Sequence, residues 1–257
     1  MVAVFPANLS ADVTRLVYVD MDGSPWCVTP QEATSADVDG TRPVREFFAW
    51  PGQRSYQGWW WSSTTRTLLA FESLLERQAL MWFDFDPTAV GVAVQPFALL
   101  WPGSPAGRGT AGRGSPHHVP DLFVRRIDGT GCVVDVRPLP RIDAKARQQF
   151  ARTATVCAEI GWEYRVFTGL PQPLATNLRF ISGYRHDRHE ATPRLREQLL
   201  HAAGEPGASV GSIAAGAART DIGEPESSLS VVYRLLWDHA IHADMGSPLA
   251  LSTPVWT

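Results

Sequence analysis

Hydrophobic and polar residues alternate in two runs, at 119–127 and 131–138, with the glycine-rich segment 128–131 between them. Alternation on both sides of such a turn predicts a β-hairpin. Asp121 enters the first strand and Asp135 lies within the second, so the hairpin brings two carboxylates close together. Close carboxylates repel each other unless a proton or a cation intervenes. The pattern therefore predicts a site for a hard divalent cation, which prefers oxygen ligands.

Periodicity elsewhere predicts helices and strands that surround this hairpin. Apolar residues at helical spacing predict a helix over 68–83, which Pro87 prevents from continuing. A second helix is predicted over 143–160. Strands are predicted at 15–20, 53–61, 90–94 and 162–167, and a loop rich in Gly, Pro, Ser and Arg at 102–116. A mixed sheet flanked by helices, of the α/β class, accounts for this order.

The C-terminal part reads as a separate small domain. Short helices are predicted near 193–203, 209–218 and 227–240, followed by an extended piece over 241–255. Three helices followed by a hairpin is a winged-helix-like outline. The third helix carries Arg234 as its only definite cation, so we expect it to contact protein rather than DNA.

These elements predict four segments along the chain. They are an N-terminal extension of unclear role at 1–50, an α/β core at 51–170, a linker at 171–192 and the C-terminal domain at 193–257. No apolar run is long enough to span a bilayer, and the N-terminus lacks the pattern of a signal peptide. We therefore expect a cytoplasmic protein that does not enter a membrane.

The net charge of −3 hides a strong asymmetry along the chain. Residues 1–99 carry 6 basic and 11 acidic groups, residues 100–188 carry 13 and 7, and residues 189–257 carry 4 and 8. The three parts therefore have net charges of −5, +6 and −4. The positively charged part of the sequence is therefore the one that contains Asp121 and Asp135, and contacts to phosphate groups would be needed near these residues.

A third carboxylate belongs to the predicted helix over 68–83. Glu76 would bind a second ion or orient a water molecule, although Glu72 lies one turn earlier on the same face. Asp135 is surrounded by valines in a strand that should be buried, and a buried carboxylate needs a partner. Asp121 and Asp135 are thus the predicted direct ligands of the cation.

The order of these motifs resembles the PD-(D/E)xK nuclease superfamily, and more closely the TnsA endonuclease subunit of heteromeric transposases. The resemblance covers roughly residues 54–257. The residues that carry it are Ser73-Leu74-Leu75-Glu76, Asp84-Phe85-Asp86-Pro87, Val90, Gln95-Pro96, Pro120-Asp121 and Val134-Asp135-Val136-Arg137-Pro138.

The resemblance implies a restriction-endonuclease-like fold and a Mg²⁺-dependent endonuclease, with Mn²⁺ as a substitute. By that likeness Glu76, Asp121, Asp135 and Arg137 are the catalytic residues. The enzyme would cut double-stranded DNA at transposon 5′ ends beside a TnsB-like transposase. A TnsC-like AAA+ ATPase would dock on the C-terminal domain.

Arg137 departs from the family pattern, which usually has lysine at that position. Arginine stays protonated and cannot take a proton from water, but it can clamp the scissile phosphate. Lys145, the only lysine in the chain, could instead supply the basic group, or the site could be impaired. Two rivals thus stay open, an autonomous defence nuclease and an inactive nuclease fold that serves as a DNA-binding or assembly scaffold.

Five further side chains are assigned to DNA contacts. His118, directly before the Pro-Asp motif, would touch phosphate or hold the loop. The full set is Gln95, His118, Arg125, Arg141 and Lys145.

Overall fold

The computed structural model describes residues 13–34, 36–45, 56–102, 117–219 and 225–257. Over these ranges the chain is a mixed α/β protein that divides into two compact units. The first unit ends at Gly169, and the second comprises the following residues together with Phe85–Pro87. The predicted α/β class is confirmed.

Before Gly169 the described residues form eleven short strands and three α-helices. In chain order they are β1 Arg15–Asp20, β2 Pro25–Val28, α1 Pro30–Ala33, β3 Thr41–Arg42, β4 Gly58–Ser62, β5 Thr67–Phe71, α2 Leu74–Phe85, β6 Ala89–Val94, β7 Ala98–Leu100, β8 His117–His118, β9 Leu122–Arg126, β10 Gly131–Val136, α3 Ala144–Ile160 and β11 Glu163–Phe167.

A four-stranded sheet in the order β11-β10-β9-β6 carries the predicted hairpin. Strands β9 and β10 pair antiparallel with Leu122 opposite Val134, and β11 pairs parallel with β10. The hairpin and the strands predicted at 90–94 and 162–167 are confirmed. Helix α3 also forms as predicted, because the Asp143 carboxylate caps it by accepting from Ala146 N and Gly161 ends it at a φ of 87°.

A second sheet contains the strands that precede residue 45. Its order is β2-β1-β7-β8, with β3 pairing on β1. Leu16 and Tyr18 of β1 are buried in a core cluster with Phe97 and Phe123. The described residues of the N-terminal extension predicted over 1–50 thus contribute three strands to this sheet. Pairing between β1 and β7 joins residues about 80 positions apart, which local periodicity does not reveal.

The helix predicted over 68–83 begins later than expected, at Leu74. Residues 67–71 form β5 instead, because they pair antiparallel with the tryptophan-rich β4. This pairing overrides the helical spacing of the same residues. Strand β4 confirms part of the strand predicted at 53–61, whose residues 53–55 lie outside the described ranges. The predicted loop also falls outside them over 103–116.

Asp84, near the end of α2, anchors the β4–β5 hairpin. Its buried carboxylate accepts hydrogen bonds from Trp60 Nε1 at 3.0 Å, Ser62 Oγ at 2.8 Å and Thr64 N at 2.9 Å. Ser63 adds its backbone N–H at 3.1 Å. Without this carboxylate four donors of the hairpin would each lose a hydrogen bond, so Asp84 supports the fold.

Asp84→Asn should lower the free energy of unfolding by about 2–4 kcal/mol. The amide NH₂ would face donors where a carboxylate oxygen now accepts. Urea denaturation measures the loss, and Asp22→Asn, at an exposed turn, is the matched control. Equal stability of both variants would show that the Asp84 network contributes little.

The second unit is helical. Its helices are α4 Leu174–Ile181, α5 Pro193–Ala203, α6 Val210–Ala218 and α7 Pro225–Trp237, with short 3₁₀ helices at Ser182–Tyr184 and Asp187–His189. The three helices predicted after residue 192 are confirmed, and Thr192 and Ser209 cap the first two.

The linker predicted over 171–192 was wrong as a description of that segment. Asn177 of α4 donates to the carbonyls of Met245 and Ser247, and its Oδ1 accepts from Leu249 N. The prolines that suggested a linker lie just before α4, where proline is compatible with a helix start. The segment is thus a packed part of the second unit.

The predicted C-terminal hairpin is not a hairpin of strands. Two isolated antiparallel bridges, Ser209 with Pro254 and His242 with Trp256, order the described C-terminal residues instead. Pro254 therefore pairs with the segment that enters α6, and Trp256 pairs with the segment that follows α7. Among the described residues no helix has the length and apolarity needed to cross a bilayer.

Candidate active site

The β9–β10 hairpin places Asp121 and Asp135 at the same end of the sheet. Asp121 comes one residue before β9, and its Oδ2 accepts from Val136 N at 2.6 Å. Asp121 N in turn donates to Val134 O at 3.1 Å. The Asp121 carboxylate is therefore held against the strand that contains Asp135.

The surroundings of Asp121 strongly favour its protonated form. The residue is half-buried, but desolvation of its carboxyl is the main reason that its pKa is raised to about 8. Repulsion from Asp135 raises that pKa further, and Glu76 adds to it. The hydrogen bond from Val136 and the charge of Arg45 oppose the shift without cancelling it. Near neutral pH the pair therefore holds one proton where a cation could lie.

Asp135 makes hydrogen bonds to two aromatic side chains. His118 Nε2 lies 2.8 Å from its Oδ1 and 3.0 Å from its Oδ2. The Tyr164 hydroxyl donates to Oδ2 at 2.5 Å. Burial, followed by the charge of Asp135, raises the pKa of Tyr164, so this hydroxyl remains a donor. The predicted need of Asp135 for partners is met by these two groups.

Glu76 is coupled to Asp121 through its charge, but its carboxylate stabilises the start of α2. Its oxygens accept from Glu72 N at 2.7 Å and Ser73 Oγ at 2.8 Å. Burial raises the pKa of Glu76, and these hydrogen bonds lower it in part. Glu72, the alternative considered for this role, forms an ion pair with Arg45. The third carboxylate is thus near the pair while serving as a helix cap.

The fit of a metal ion can be judged from these placements. Nowhere in the described ranges are three or more His, Cys, Asp or Glu side chains placed to hold a metal ion together. Asp121 and Asp135 are two carboxylates at one end of the hairpin, and desolvation, followed by the charge of Asp135, raises the pKa of Asp121. The preformed part of the site is therefore a carboxylate pair.

The basic residues assigned to the site are mostly at the surface. Arg137 is exposed, and its Nε donates to the carbonyl of Arg141 at 3.1 Å. Arg141 and Lys145 are exposed near the start of α3. All three are accessible to a phosphate backbone.

The other predicted DNA contacts lie in less accessible places. Gln95 is only 2 % exposed, and its Oε1 has no hydrogen-bond partner. Arg125 pairs with Asp39 at 2.9 Å, and its guanidinium lies over the Phe123 ring. The His118 side chain is 10 % exposed. Gln95 and His118 are thus largely withdrawn from the surface, and Arg125 is partly exposed but engaged with Asp39.

Three residues near the carboxylates were missed from the sequence. Tyr164 donates to Asp135, Gln149 contacts His118, and Arg45 lowers the pKa of both Asp121 and Glu76. Tyr164 had one weak signal in the sequence, which is its place in the strand that follows α3. Arg45 and Gln149 carry no local signal, because only the tertiary fold brings them to the site.

The sequence matches no model of a known protein family and no curated protein. The likeness to the TnsA family thus consists of the motif residues named above. The carboxylate pair and its surroundings bear on the chemistry of the site, and the motif likeness alone bears on substrate and partners.

Proposed function

We propose that the chain is a metal-dependent DNA endonuclease of the TnsA kind, which hydrolyses phosphodiester bonds at transposon 5′ ends together with a partner transposase. One observation carries the proposal. Asp121 and Asp135 meet at the end of a hairpin, and burial and mutual repulsion raise the pKa of Asp121 to about 8. Such a pair is poised to exchange its proton for a divalent cation.

Asp121 and Asp135 would hold Mg²⁺ or Mn²⁺, with Glu76 adding negative charge nearby. When bound, the ion would lower the pKa of a coordinated water and polarise the scissile phosphate. The protein's own part is to release the proton of Asp121 and to keep both carboxylates in place. Arg137 would neutralise charge that develops on the phosphoryl oxygens.

DNA binding is supported by the charge of the part of the sequence that contains the pair. Residues 100–188 carry 13 basic and 7 acidic groups, and Arg137, Arg141 and Lys145 are exposed there. Contacts to phosphates would fix the position of the duplex without reading its sequence. We therefore propose double-stranded DNA as the substrate.

The second unit is proposed to be winged-helix-like and to bind protein. Helices α5, α6 and α7, with the two bridges that tie the chain end to them, support this outline. Arg234 of α7 is engaged within the unit, because it donates to Asp238 at 2.7 Å and to the Arg185 carbonyl at 2.9 Å. A TnsC-like ATPase is thus a better-supported partner for this unit than DNA.

The test combines the purified chain, Mg²⁺ or Mn²⁺, a TnsB-like transposase, a TnsC-like ATPase and DNA that carries transposon ends. Wild type should cut at the 5′ ends, and Asp135→Asn should be slower by on the order of 10³-fold. Asp128→Asn, in the exposed turn of the same hairpin, is the matched control and should cleave normally. Equal cleavage by all three proteins would remove the assigned site.

A scaffold function is the second candidate, and one observation favours it. The oxygens of Asp135 and Glu76 already accept hydrogen bonds from internal donors, so the fold satisfies these carboxylates by itself. DNA or partner binding without divalent-ion binding in calorimetry would select the scaffold. Cleavage of plain DNA without partners would instead select an autonomous nuclease.

A further inference from the structure

The Asp135 carboxylate is the centre of a hydrogen-bond network that also includes His118, Tyr164 and Gln149. His118 spans both carboxylate oxygens at 2.8 and 3.0 Å, and Tyr164 donates to one of them at 2.5 Å. The side chains of His118 and Asp135 are only 10 % and 3 % exposed. Water therefore competes little for these hydrogen bonds, which strengthens them.

The second ring nitrogen of His118 fixes which atom carries the proton. The Gln149 amide nitrogen is hydrogen-bonded to His118 Nδ1, so this ring nitrogen must accept. The proton of the neutral ring then sits on Nε2, which faces the carboxylate as a donor. The Gln149 amide, with its nitrogen toward the ring, is thus compatible with the tautomer that donates to Asp135.

The ring of His118 is also held by stacking. It lies nearly parallel to the Trp101 indole, at an interplanar angle of 10° and a centroid distance of 6.5 Å. The Arg152 guanidinium covers the same indole at 5.6 Å. These contacts restrict the ring, so the geometry around Asp135 is set before any ligand arrives.

We propose that His118 and Tyr164 are positioning residues that orient the Asp135 carboxylate for cation binding. This inference rests on the proposed function, in which Asp135 holds the ion. Both nitrogens of His118 are engaged, one with Asp135 and the other with Gln149, so the ring is not arranged to take a proton from water or to bind phosphate. Its role is therefore exerted through Asp135, in place of the DNA contact expected from the sequence.

Groups that orient a metal-binding carboxylate typically change metal affinity by about 10- to 100-fold when removed. Isothermal titration with Mn²⁺ tests this on the full chain. His118→Ala and Tyr164→Phe should each weaken Mn²⁺ binding by about 10- to 100-fold. His118→Gln keeps an N–H close to the Nε2 position, so its affinity should stay within roughly threefold of wild type.

Two matched controls use exposed residues of the same types. His201 and Tyr56 are 82 % and 71 % exposed, and His201→Ala and Tyr56→Phe should bind Mn²⁺ as wild type does. Circular dichroism establishes that each variant is folded. A long-range ¹H–¹⁵N spectrum of the metal-free protein provides a readout independent of binding, and it should show the His118 proton on Nε2.

The outcomes separate this inference from the proposed function. Equal Mn²⁺ affinity of wild type, His118→Ala and Tyr164→Phe would overturn the positioning role and leave the metal site intact. A His118 proton on Nδ1 alone would also overturn it. Absence of Mn²⁺ binding by the wild type would remove both the proposed function and the positioning role.

Discussion

Asp121→Asn is expected to make the protein more stable than wild type at alkaline pH. The pKa of Asp121 is about 8 in the folded chain, well above its ordinary value of 3.8. At pH values between these two pKa values, Asp121 keeps its proton in the folded state and has lost it in the unfolded state. The stability of the wild type should therefore fall with rising pH, by up to about 1.4 kcal/mol per pH unit, until Asp121 has ionised.

Asparagine cannot ionise and can still accept the hydrogen bond from Val136 N. The variant should lack this pH dependence. The difference in free energy of unfolding between variant and wild type should be about 2–4 kcal/mol larger at pH 9 than at pH 5. Urea denaturation across pH 5–9 measures the difference. Asp128→Asn should follow wild type, because a hydrogen bond from Thr130 keeps the pKa of exposed Asp128 low and outside this range. A variant with the same pH slope as wild type would show that Asp121 ionises normally.

Mn²⁺ affinity should rise steeply with pH, because the ion must displace the proton of Asp121. Below the pKa of about 8 the apparent affinity is expected to increase about tenfold per pH unit. From pH 6 to pH 8 the gain would approach roughly 100-fold, and it should level off at higher pH. Affinity for the metal and stability of the metal-free protein would thus change in opposite directions with pH.

Calorimetry at pH 6.5 in buffers of different ionisation enthalpy counts the protons released. About one proton should leave for each Mn²⁺ bound. Asp121→Asn should bind the ion much more weakly and release none. A pH-independent affinity would mean that the ion does not contact Asp121.

The part of the site that lies in one hairpin could be predicted from the sequence. Alternation on both sides of the turn determined the pairing of β9 with β10, and that pairing brings Asp121 beside Asp135. The site also includes Tyr164 of β11, Gln149 of α3 and Arg45 of a distant loop. Their positions depend on long-range packing, which carries no local periodicity.

The fold shows the same division between local and long-range information. Helix α3 has both a capping carboxylate and a terminal glycine, so its limits follow from the sequence. Residues 67–71 have helical spacing but form a strand, because β4 pairs with them. The packing of Asn177 against the C-terminal turn likewise depends on residues about 70 positions away. Short-range patterns could not reveal either pairing.

Single-turnover cleavage of DNA that carries transposon ends, at pH 8 with Mn²⁺, the TnsB-like transposase and the TnsC-like ATPase, tests the central claim most directly. Wild type, Asp121→Asn and Asp128→Asn are compared under identical conditions. Because Asp121→Asn should be the most stable of the three proteins without metal, a loss of cleavage would not come from a destabilised fold. If the carboxylate pair is the catalytic centre, Asp121→Asn should cut slower than wild type by on the order of 10³-fold. Asp128→Asn should cut at the wild-type rate. Metal-dependent cleavage by Asp121→Asn at the wild-type rate would contradict it.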